Sequence, residues 1–339
     1  MRRSVFLRPI YVLAMLAGLS FALNSGAQEA TIKTQEDVVF GKSLLSEGVE
    51  LERVMNVYSP AKSDSDSRPA LVFLHGNPGD SPYPGNRQKG FQDYTAHFAG
   101  LGYVCFVPSW DLRQGPDAGF EIVRMAIAHI RREAARYGID TNRVGVVGHS
   151  YGSRHACTLG NANFLEPEAR ANAVIMLAGG MSYPDDCDEK DAPTLLVYGN
   201  ADEWFPQAKG IRESLVRGNV PHAYIEVERG PHSIPPNTAV SFGHTLLEVM
   251  DSFLGSQFGV PSTPPLCFVP TRSEGPGHVK LDESVSYGLY PFGHELEVCA
   301  MPGSGGEKVT WLAPPAAGGS VLALSVVKGL NVSAVFSRN

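Results

Sequence analysis

The sequence has 339 residues, of which 43% are hydrophobic and 19% charged, and its 28 basic and 35 acidic side chains give a formal net charge of −7. A chain of this length and apolar content can bury a large core, which excludes general disorder. Its acidic balance argues against nucleic acid or an anionic lipid surface as a partner. None of the five cysteines lies in a C-x-x-C pattern and H-E-x-x-H is absent, so the sequence implies no metal or other cofactor.

The first thirty residues differ in composition from the rest of the chain. Three arginines precede an apolar stretch at about 11–23, small residues follow at 25–27, and no acidic residue occurs before Glu29. This is the pattern of a secretory signal peptide, and the apolar stretch is shorter than the roughly 20 residues of a membrane span. We therefore predict a signal peptide over residues 1–27, export to the periplasm or the medium, and no membrane span in the mature chain.

Between about residues 38 and 258, short β-rich runs alternate with amphipathic stretches. The predicted strands are 54–58, 70–74, 104–107, 144–147, 174–177, 195–198 and 224–227. The predicted helices lie near 88–101, 119–138, 151–160, 206–217 and 240–256. The central strands are apolar throughout, as in a parallel sheet that helices cover on both faces. The alternation predicts a doubly wound α/β fold, and we assign residues 28–258 to one catalytic domain.

The composition changes after this domain. Residues 259–265 contain three prolines, which predicts a stiff linker, and residues 266–339 are predicted to form a small β-rich region. Two alternating runs, 321–327 and 330–336, flank a Lys-Gly pair and predict a β-hairpin. Because so small a region has little core of its own, we expect it to pack on the catalytic domain or to be stabilised by a disulfide.

The strongest motif is G-H-S-Y-G at residues 148–152, directly after an apolar strand and before a helix. A serine hydroxyl is a poor nucleophile unless it is exposed and lies next to a base. A strand–serine–helix turn provides that exposure, and glycines flank it because side chains there would collide. An ordinary tight turn is the alternative, which the strand and helix context disfavours. We predict that Ser150 is a nucleophile.

A second motif, H-G-N-P-G at residues 75–79, also follows an apolar strand. A loop at this place can donate a backbone N–H to a tetrahedral oxyanion, together with the N–H of the residue after the nucleophile. We therefore predict Asn77 and Tyr151 as the oxyanion-hole residues, with a plain Gly/Pro turn as the alternative.

The acid and the base of a serine triad are expected after later strands, in the order serine, acid, histidine. Asp202 follows the strand predicted at 195–198, and His232 follows the last predicted strand in a Gly-Pro turn. The competing acids are Glu203 and the pair at positions 185 and 186. We predict Asp202 as the acid and His232 as the base.

These residues resemble the α/β-hydrolase superfamily, in its esterase/lipase and dienelactone-hydrolase-like branches, over about two-thirds of the chain. The resemblance implies an eight-stranded, mostly parallel sheet, with Ser150 as nucleophile, His232 as base and Asp202 as orienting acid. Haloalkane dehalogenases and epoxide hydrolases have a similar His-Gly-Asn-Pro or related loop but an aspartate nucleophile, so Ser150 excludes alkyl-enzyme chemistry. Dienelactone hydrolases carry cysteine at that position, and the His-Gly-Gly-Gly loop of the hormone-sensitive-lipase branch is absent. Only fifteen residues separate Leu177 from Pro193, too few for a large helical cap.

The function predicted from these features is hydrolysis of a small-molecule or polymer-borne ester through an acyl-enzyme intermediate, without a cofactor. A peptidase or amidase with the same triad is the alternative, and a non-catalytic binding module would require a broken triad. The expected topology favours the disulfides 157–187 and 267–299, and leaves Cys105 as a free thiol inside a strand.

Overall fold

The structure is a computed structural model. It describes residues 31–44, 48–61, 67–77, 89–113, 115–162, 164–179, 187–262, 266–281, 286–303, 307–316 and 320–338. The predicted signal peptide, residues 78 and 79 of the H-G-N-P-G motif and the acidic pair at 185 and 186 lie outside these ranges. None of the helices described there combines the length and the hydropathy that a membrane crossing needs.

In the described part of the chain, eight strands form one large sheet in the order β1-β2-β4-β3-β5-β6-β7-β8. The strands are β1 Ile32–Leu44, β2 Glu50–Pro60, β3 Arg68–Leu74, β4 Val104–Pro108, β5 Ile139–His149, β6 Ala173–Leu177, β7 Thr194–Gly199 and β8 His222–Val227. β1, β2 and β4 pair antiparallel, and the sheet is parallel from β4 through β8. The carboxyl ends of β3, β5, β7 and β8 therefore meet at one edge, which is where a doubly wound sheet places its ligand.

Helices cover both faces of this sheet. They are α1 Gln92–Gly100, α2 Pro116–Arg132, α3 Ala134–Tyr137, α4 Tyr151–Asn161, α5 Phe205–Arg217 and α6 Leu246–Phe258. Successive residues of one strand serve opposite faces: Val72 packs in the cluster under α2, α4 and α5, and Phe73 in the cluster under α1 and α6. Because both sides of a central strand are buried, its sequence is apolar throughout instead of alternating.

The predicted fold class is confirmed. Each strand and helix predicted between residues 54 and 258 has an observed counterpart, although the last helix begins at Leu246 and not near 240. Residues 239–245 instead form a small hairpin of β9 Ala239–Ser241 and β10 His244–Thr245. The sequence analysis missed β1, because this edge strand is largely exposed and carries too few apolar residues to show a pattern.

The region after residue 265 is built of strands wherever the structure describes it. They are β11 Leu266–Phe268, β12 Thr271–Glu274, β13 His278–Leu281, β14 Leu289–Pro291, β15 Glu295–Met301, β16 Glu307–Ala313, β17 Pro315–Ala316, β18 Val321–Ser325 and β19 Val332–Arg338. They form the sheets β12-β19-β16-β17, β13-β15-β18 and β11-β14. Inward residues of the first two sheets, such as Val298 and Ala334, share one buried cluster.

The predicted hairpin of 321–327 and 330–336 is wrong. Both runs are strands, but β18 pairs with β15 whereas β19 pairs with β12 and β16 in another sheet. Val326 lies between the two strands in the sequence. It is fully buried, and its backbone exchanges hydrogen bonds with Gly293 and His294 before the chain continues to β19 in the other sheet. Alternation of apolar residues fixes which side chains point inward, but it does not select the partner strand.

The β-rich C-terminal region packs directly on the edge of the large sheet. Tyr287 exchanges two backbone hydrogen bonds of 2.9 Å with Tyr224 of β8. The Arg212 guanidinium lies between these two rings, 4.9 and 4.8 Å from their centroids, and His222 stacks on Tyr287 at 4.9 Å. The region thus covers an edge strand that would otherwise expose unpaired backbone groups. The boundary drawn at residues 259–265 stays a prediction.

Neither predicted disulfide is present, since all five cysteines are free thiols. Cys267 is paired with Tyr290 on β14, whereas Cys299 lies on β15 between Lys280 and Val321. The pairing 267–299 was expected from topology but is wrong because these strands belong to different sheets. Cys157 and Cys187 are close enough to influence each other, as that expectation implied, but Cys187 Sγ donates to the Ser214 carbonyl at 3.2 Å instead of forming a disulfide. Cys105 is fully buried and free, as predicted, and burial raises the pKa of its thiol.

Candidate active site

Ser150 occupies a sharp turn between β5 and α4. Its backbone has φ 55° and ψ −119°, a conformation that non-glycine residues rarely adopt and that is stored at functional sites when the surroundings enforce it. The Ser150 N–H donates to the carbonyl of Leu177 at 2.9 Å, which ties the turn to the end of β6. The turn therefore presents this serine at the carboxyl edge of the sheet.

The two glycines of the motif are required by close backbone contacts. A Cβ on Gly148 would lie 2.2 Å from the Gly152 carbonyl oxygen, and a Cβ on Gly152 would lie 2.1 Å from the Leu74 carbonyl oxygen. Any side chain at either position would push β5, α4 and β3 apart. The collision that the sequence analysis inferred from the motif is therefore present.

Ser153 braces the same turn from inside and was not identified from the sequence. Its buried hydroxyl donates toward the carbonyls of Gly148 (2.7 Å) and Leu177 (3.0 Å), and it accepts from the Leu177 N–H at 3.1 Å. These contacts join β5, α4 and β6 behind Ser150. A serine inside a helix is usually unremarkable, so only the structure could reveal this role.

Asp202 and His232 are brought together from separate loops. Asp202 is 6% exposed, and its Oδ2 accepts from His232 Nδ1 at 2.8 Å. Its other oxygen, Oδ1, accepts from the Trp204 N–H at 3.1 Å. The neighbouring Glu203 is exposed, so it is Asp202 that contacts the imidazole. With Nδ1 protonated and held by the carboxylate, Nε2 of His232 is left as the basic nitrogen.

The loops that carry these two residues touch each other at their glycines. A Cβ on Gly199 would lie 2.0 Å from the carbonyl oxygen of Gly230, and the Ala201 N–H donates to that oxygen at 3.1 Å. Asn200 Oδ1 also accepts from the Arg229 N–H at 2.7 Å. The turn after β7 and the turn after β8 are thus fixed against each other, which sets the position of acid and imidazole.

The loop after β3 packs against Ser150. A Cβ on Gly76 would lie 3.1 Å from the Ser150 Cβ, so a side chain there would require a shift of a few tenths of an ångström. Asn77 follows in the same loop. Tyr151 is the first residue of α4, so its N–H is among the first-turn amides that have no intrahelical acceptor. The loop that carries Asn77 therefore reaches Ser150 through Gly76, and Tyr151 follows Ser150 in the chain; the oxyanion roles of both remain predictions.

The His75 side chain holds that loop in place through a ring stack and a hydrogen bond. Its fully buried ring stacks on Trp110 with a centroid distance of 4.7 Å, and its Nδ1 lies 2.5 Å from the Gly76 carbonyl oxygen, to which it donates. Burial lowers the pKa of His75 to about 4. The imidazole is therefore neutral at physiological pH and acts as a structural donor, not as a base.

His149, the residue before Ser150, contacts the loop of the predicted base. Its ring meets that of His232 edge-on at 5.2 Å, and its Nε2 lies 3.2 Å from Ser233 Oγ. Burial and the nearby His232 lower the pKa of His149. The sequence analysis gave this histidine no role, although its place inside the G-H-S-Y-G motif was the available signal.

A cavity of about 240 Å³ opens beside these groups. His149, His232 and Ser233 form its polar side. Most of the remaining wall is apolar and includes Phe91, Tyr94, Leu177, Val197, Ile234 and Leu246. A mainly apolar cavity with a few convergent polar groups is typical of a small-molecule site.

The structure thus shows the acid–imidazole contact, the half-buried Ser150 and the loop after β3 at one edge of the sheet. Among the described residues no hydrogen bond joins Ser150 Oγ to His232, so this link of the triad is not formed here. Such contacts are often long in unliganded enzymes and shorten when substrate binds. The catalytic assignment of Ser150, Asp202 and His232 stays a prediction that the geometry accommodates.

Comparisons with known proteins agree with this architecture. Residues 55–174, less than half of the chain, match the BD-FAE family. No curated protein sequence matches significantly. Esterase 2 of Thermogutta terrifontis phosphorylated by paraoxon has 19% identity and a TM-score of 0.55 over 68% of this chain and 96% of its own. Its butyrate-bound form has 19% identity and a TM-score of 0.55 over 70% and 97%, and its native form 20% and 0.55 over 70% and 96%. These similarities show the fold.

Proposed function

We propose that this chain, which has the α/β-hydrolase fold, is a serine esterase that cleaves carboxylic esters through an acyl-enzyme intermediate. The observation that carries the proposal is the strained Ser150 turn together with the 2.8 Å contact between Asp202 and His232, whose imidazole also lines a mainly apolar cavity. The structurally similar Thermogutta esterase, which binds butyrate and is phosphorylated by paraoxon, supports the same chemistry.

The proposed reaction begins when substrate closes the gap between serine and imidazole. His232 Nε2 takes the hydroxyl proton as Ser150 Oγ attacks the ester carbonyl, and Asp202 stabilises the imidazolium through Nδ1. The N–H groups of Asn77 and Tyr151 stabilise the oxyanion, aided by the positive end of α4. The imidazolium then protonates the leaving alcohol, and the neutral imidazole activates water for hydrolysis of the acyl-enzyme.

The cavity indicates the size of the substrate. At about 240 Å³ it is smaller than the roughly 300–1,000 Å³ of typical ligand pockets, so only a small apolar group fits inside. We propose esters in which the apolar part is a short chain, whether the ester is free or attached to a polymer that stays outside.

A fluorophosphonate probe tests the nucleophile without knowledge of the substrate. We expect the wild type to be labelled covalently, and labelling to disappear in Ser150→Ala but to persist in Ser337→Ala, which changes an exposed serine. Mass spectrometry of the labelled peptide identifies the modified residue. Absence of labelling in the folded wild type, or labelling elsewhere, would contradict the proposal.

A panel of matched substrates tests the bond that is cleaved. Esters of increasing acyl length should be hydrolysed, whereas an amide and an anilide of the same acyl group should be much slower. Faster turnover of the amide would instead establish a peptidase or amidase with the same residues.

We also propose that the protein is exported. The support is the N-terminal composition: three arginines, a short apolar stretch and small residues at 25–27. N-terminal sequencing of the protein recovered from the periplasm or medium should begin at residue 28. Recovery of the uncleaved chain in the cytosol would contradict this.

A further inference from the structure

One wall of the cavity is built from a segment that follows His232. Ile234, Pro235 and Pro236 line it, and the chain returns to it at Leu246, the first residue of α6. Between these points lies the hairpin of β9 and β10. Two backbone bonds close its base, from the Leu246 N–H to Thr238 (2.9 Å) and from the Leu247 N–H to Pro236 (3.1 Å).

This hairpin has little stability of its own. Its strands contain only three and two residues, and their register is irregular between His244 and Thr245. Isolated two-stranded hairpins are at best marginally stable even when they are longer. The folded conformation of this hairpin must therefore be stabilised by the residues that it packs against.

The tip of the hairpin rests on the β-rich C-terminal region. The Phe242 ring lies 5.3 Å from the His294 ring and 6.3 Å from the Tyr290 ring, and the last two stack on each other at 5.4 Å. Tyr290 is fully buried on β14, and the His294 backbone is bonded to Val326. The platform under Phe242 is thus an integral part of the C-terminal sheets.

Phe242 also has a strained backbone. Its φ is 48°, a region in which a bulky side chain is a genuine outlier. Such a conformation persists only where surrounding contacts enforce it. The two-residue turn between Ser241 and His244 requires this φ, since Gly243 also has a positive φ of 79°. A phenylalanine is unfavourable in such a turn, and the ring contacts to His294 and Tyr290 stabilise it there.

We propose that the C-terminal region sets the substrate specificity of the site, with Phe242 as the positioning residue that transmits its support to the cavity wall. The chain of contacts runs from the stacked His294 and Tyr290, through Phe242 at the tip of the hairpin, to Pro236 and Leu246 at its base. The inference rests on the proposed esterase function, and it gives the C-terminal region a role in that reaction.

The test compares two series of substrates, 4-nitrophenyl esters of growing acyl length and acetate esters of growing alcohol length. In Phe242→Ala, kcat/KM for the longer members of at least one series should change by about tenfold relative to the shortest, mainly through KM, since one methylene in an apolar pocket is worth about that much. The shortest ester should keep its kcat, because Ser150 and His232 do not move. Phe242→Tyr should restore the wild-type profile.

The matched control is Phe292→Ala, in the turn that precedes His294. Phe292 is 66% exposed, so this variant should behave as the wild type in both series. If Phe242→Ala does not fold, His294→Leu removes the stack from the other side, since no described residue forms a hydrogen bond with the His294 Nε2.

Hydrogen exchange separates this inference from the proposed function. Amides of residues 238–247 should exchange faster in Phe242→Ala than in the wild type, whether or not esters are substrates. Wild-type protein that hydrolyses no ester would refute the esterase function alone. Unchanged exchange in this segment, or unchanged length profiles in both series for an active enzyme, would overturn the role of Phe242.

Discussion

At the scale of single residues, Asp202 and Glu203 are adjacent in the sequence but differ in what they contact. Asp202 is buried and bonded to His232, while Glu203 faces solvent. Replacing Asp202 by asparagine keeps the shape but reverses the preferred imidazole tautomer, so kcat should fall on the order of 10⁴-fold. Glu203→Gln should retain activity close to that of the wild type. Steady-state kinetics on folded proteins compare the two, and the opposite ranking would show that the acid is wrongly assigned.

His75 predicts how stability depends on pH. Burial lowers its folded-state pKa to about 4, whereas an unfolded histidine titrates near 6.5. Above pH 6.5 the residue is neutral in both states. As pH falls from about 6.5 to 4 only the unfolded state takes up the proton, so the free energy of unfolding decreases, by about 3 kcal/mol for this group. Urea unfolding between pH 7 and 4.5 should show a shallower pH dependence in His75→Gln than in the wild type, and equal slopes would contradict the argument.

The sequence was informative for some residues of the site and silent for others. Ser150, Asp202 and His232 could be proposed because each follows an apolar strand, and parallel strands bring their carboxyl ends together. Ser153 and His75 could not be assigned their bracing roles, since these depend on which carbonyls and rings lie nearby in three dimensions. The same holds for His149, whose contact is with a loop more than eighty residues away.

At the scale of elements, replacing two helical glycines by alanine should have opposite effects on stability. A Cβ on Gly152 in α4 would lie 2.1 Å from the Leu74 carbonyl oxygen, whereas a Cβ on Gly210 in α5 would meet no atom of the described residues within 4 Å beyond its own helix. Gly152→Ala should displace the turn that carries Ser150, so both activity and stability should fall steeply. Gly210→Ala should stabilise the protein by about 0.5–1 kcal/mol, because alanine is the better helix former. Thermal unfolding and ester hydrolysis measure both, and a tolerated Gly152→Ala would disprove the tight elbow.

Sequence patterns predicted the strands of the parallel sheet, but in the C-terminal region they predicted the strands without their pairing. The strands of the parallel sheet were predicted from continuous apolar runs, which arise because helices bury both of their faces. In the C-terminal region the alternation predicted strands correctly but not their partners. Val326 diverts the chain between two sheets by burying its side chain, and a sequence pattern contains no information about that choice.

At the scale of the whole molecule, the hydrolase core and the C-terminal region share a continuous interior. Phe268 of β11 packs edge-on against Phe253 of α6 at 5.4 Å, and Asn219 exchanges side-chain hydrogen bonds of 2.8 and 2.9 Å with the Ser273 backbone. With the Tyr224–Tyr287 backbone pairing, these contacts extend the sheet and cover α6. The proline-rich segment therefore joins two units that are not independent, and removal of the second would expose apolar surface on the first.

Truncation near Pro261 should accordingly yield aggregated protein, because it exposes the β8 edge together with Tyr224 and Phe253.

Single substitutions in the full chain test the same contacts without relying on aggregation as the readout. Tyr287→Ala in the full chain removes a buried ring that contacts Arg212 and His222, and it should lower the free energy of unfolding by about 3–5 kcal/mol, the usual loss for a buried aromatic. Phe292→Ala, at a 66% exposed ring of the same region, should change it by less than about 0.5 kcal/mol. Denaturant titrations of the two variants decide the matter: a soluble, stable truncated protein, or equal effects of the two substitutions, would show that the C-terminal region is a detachable accessory.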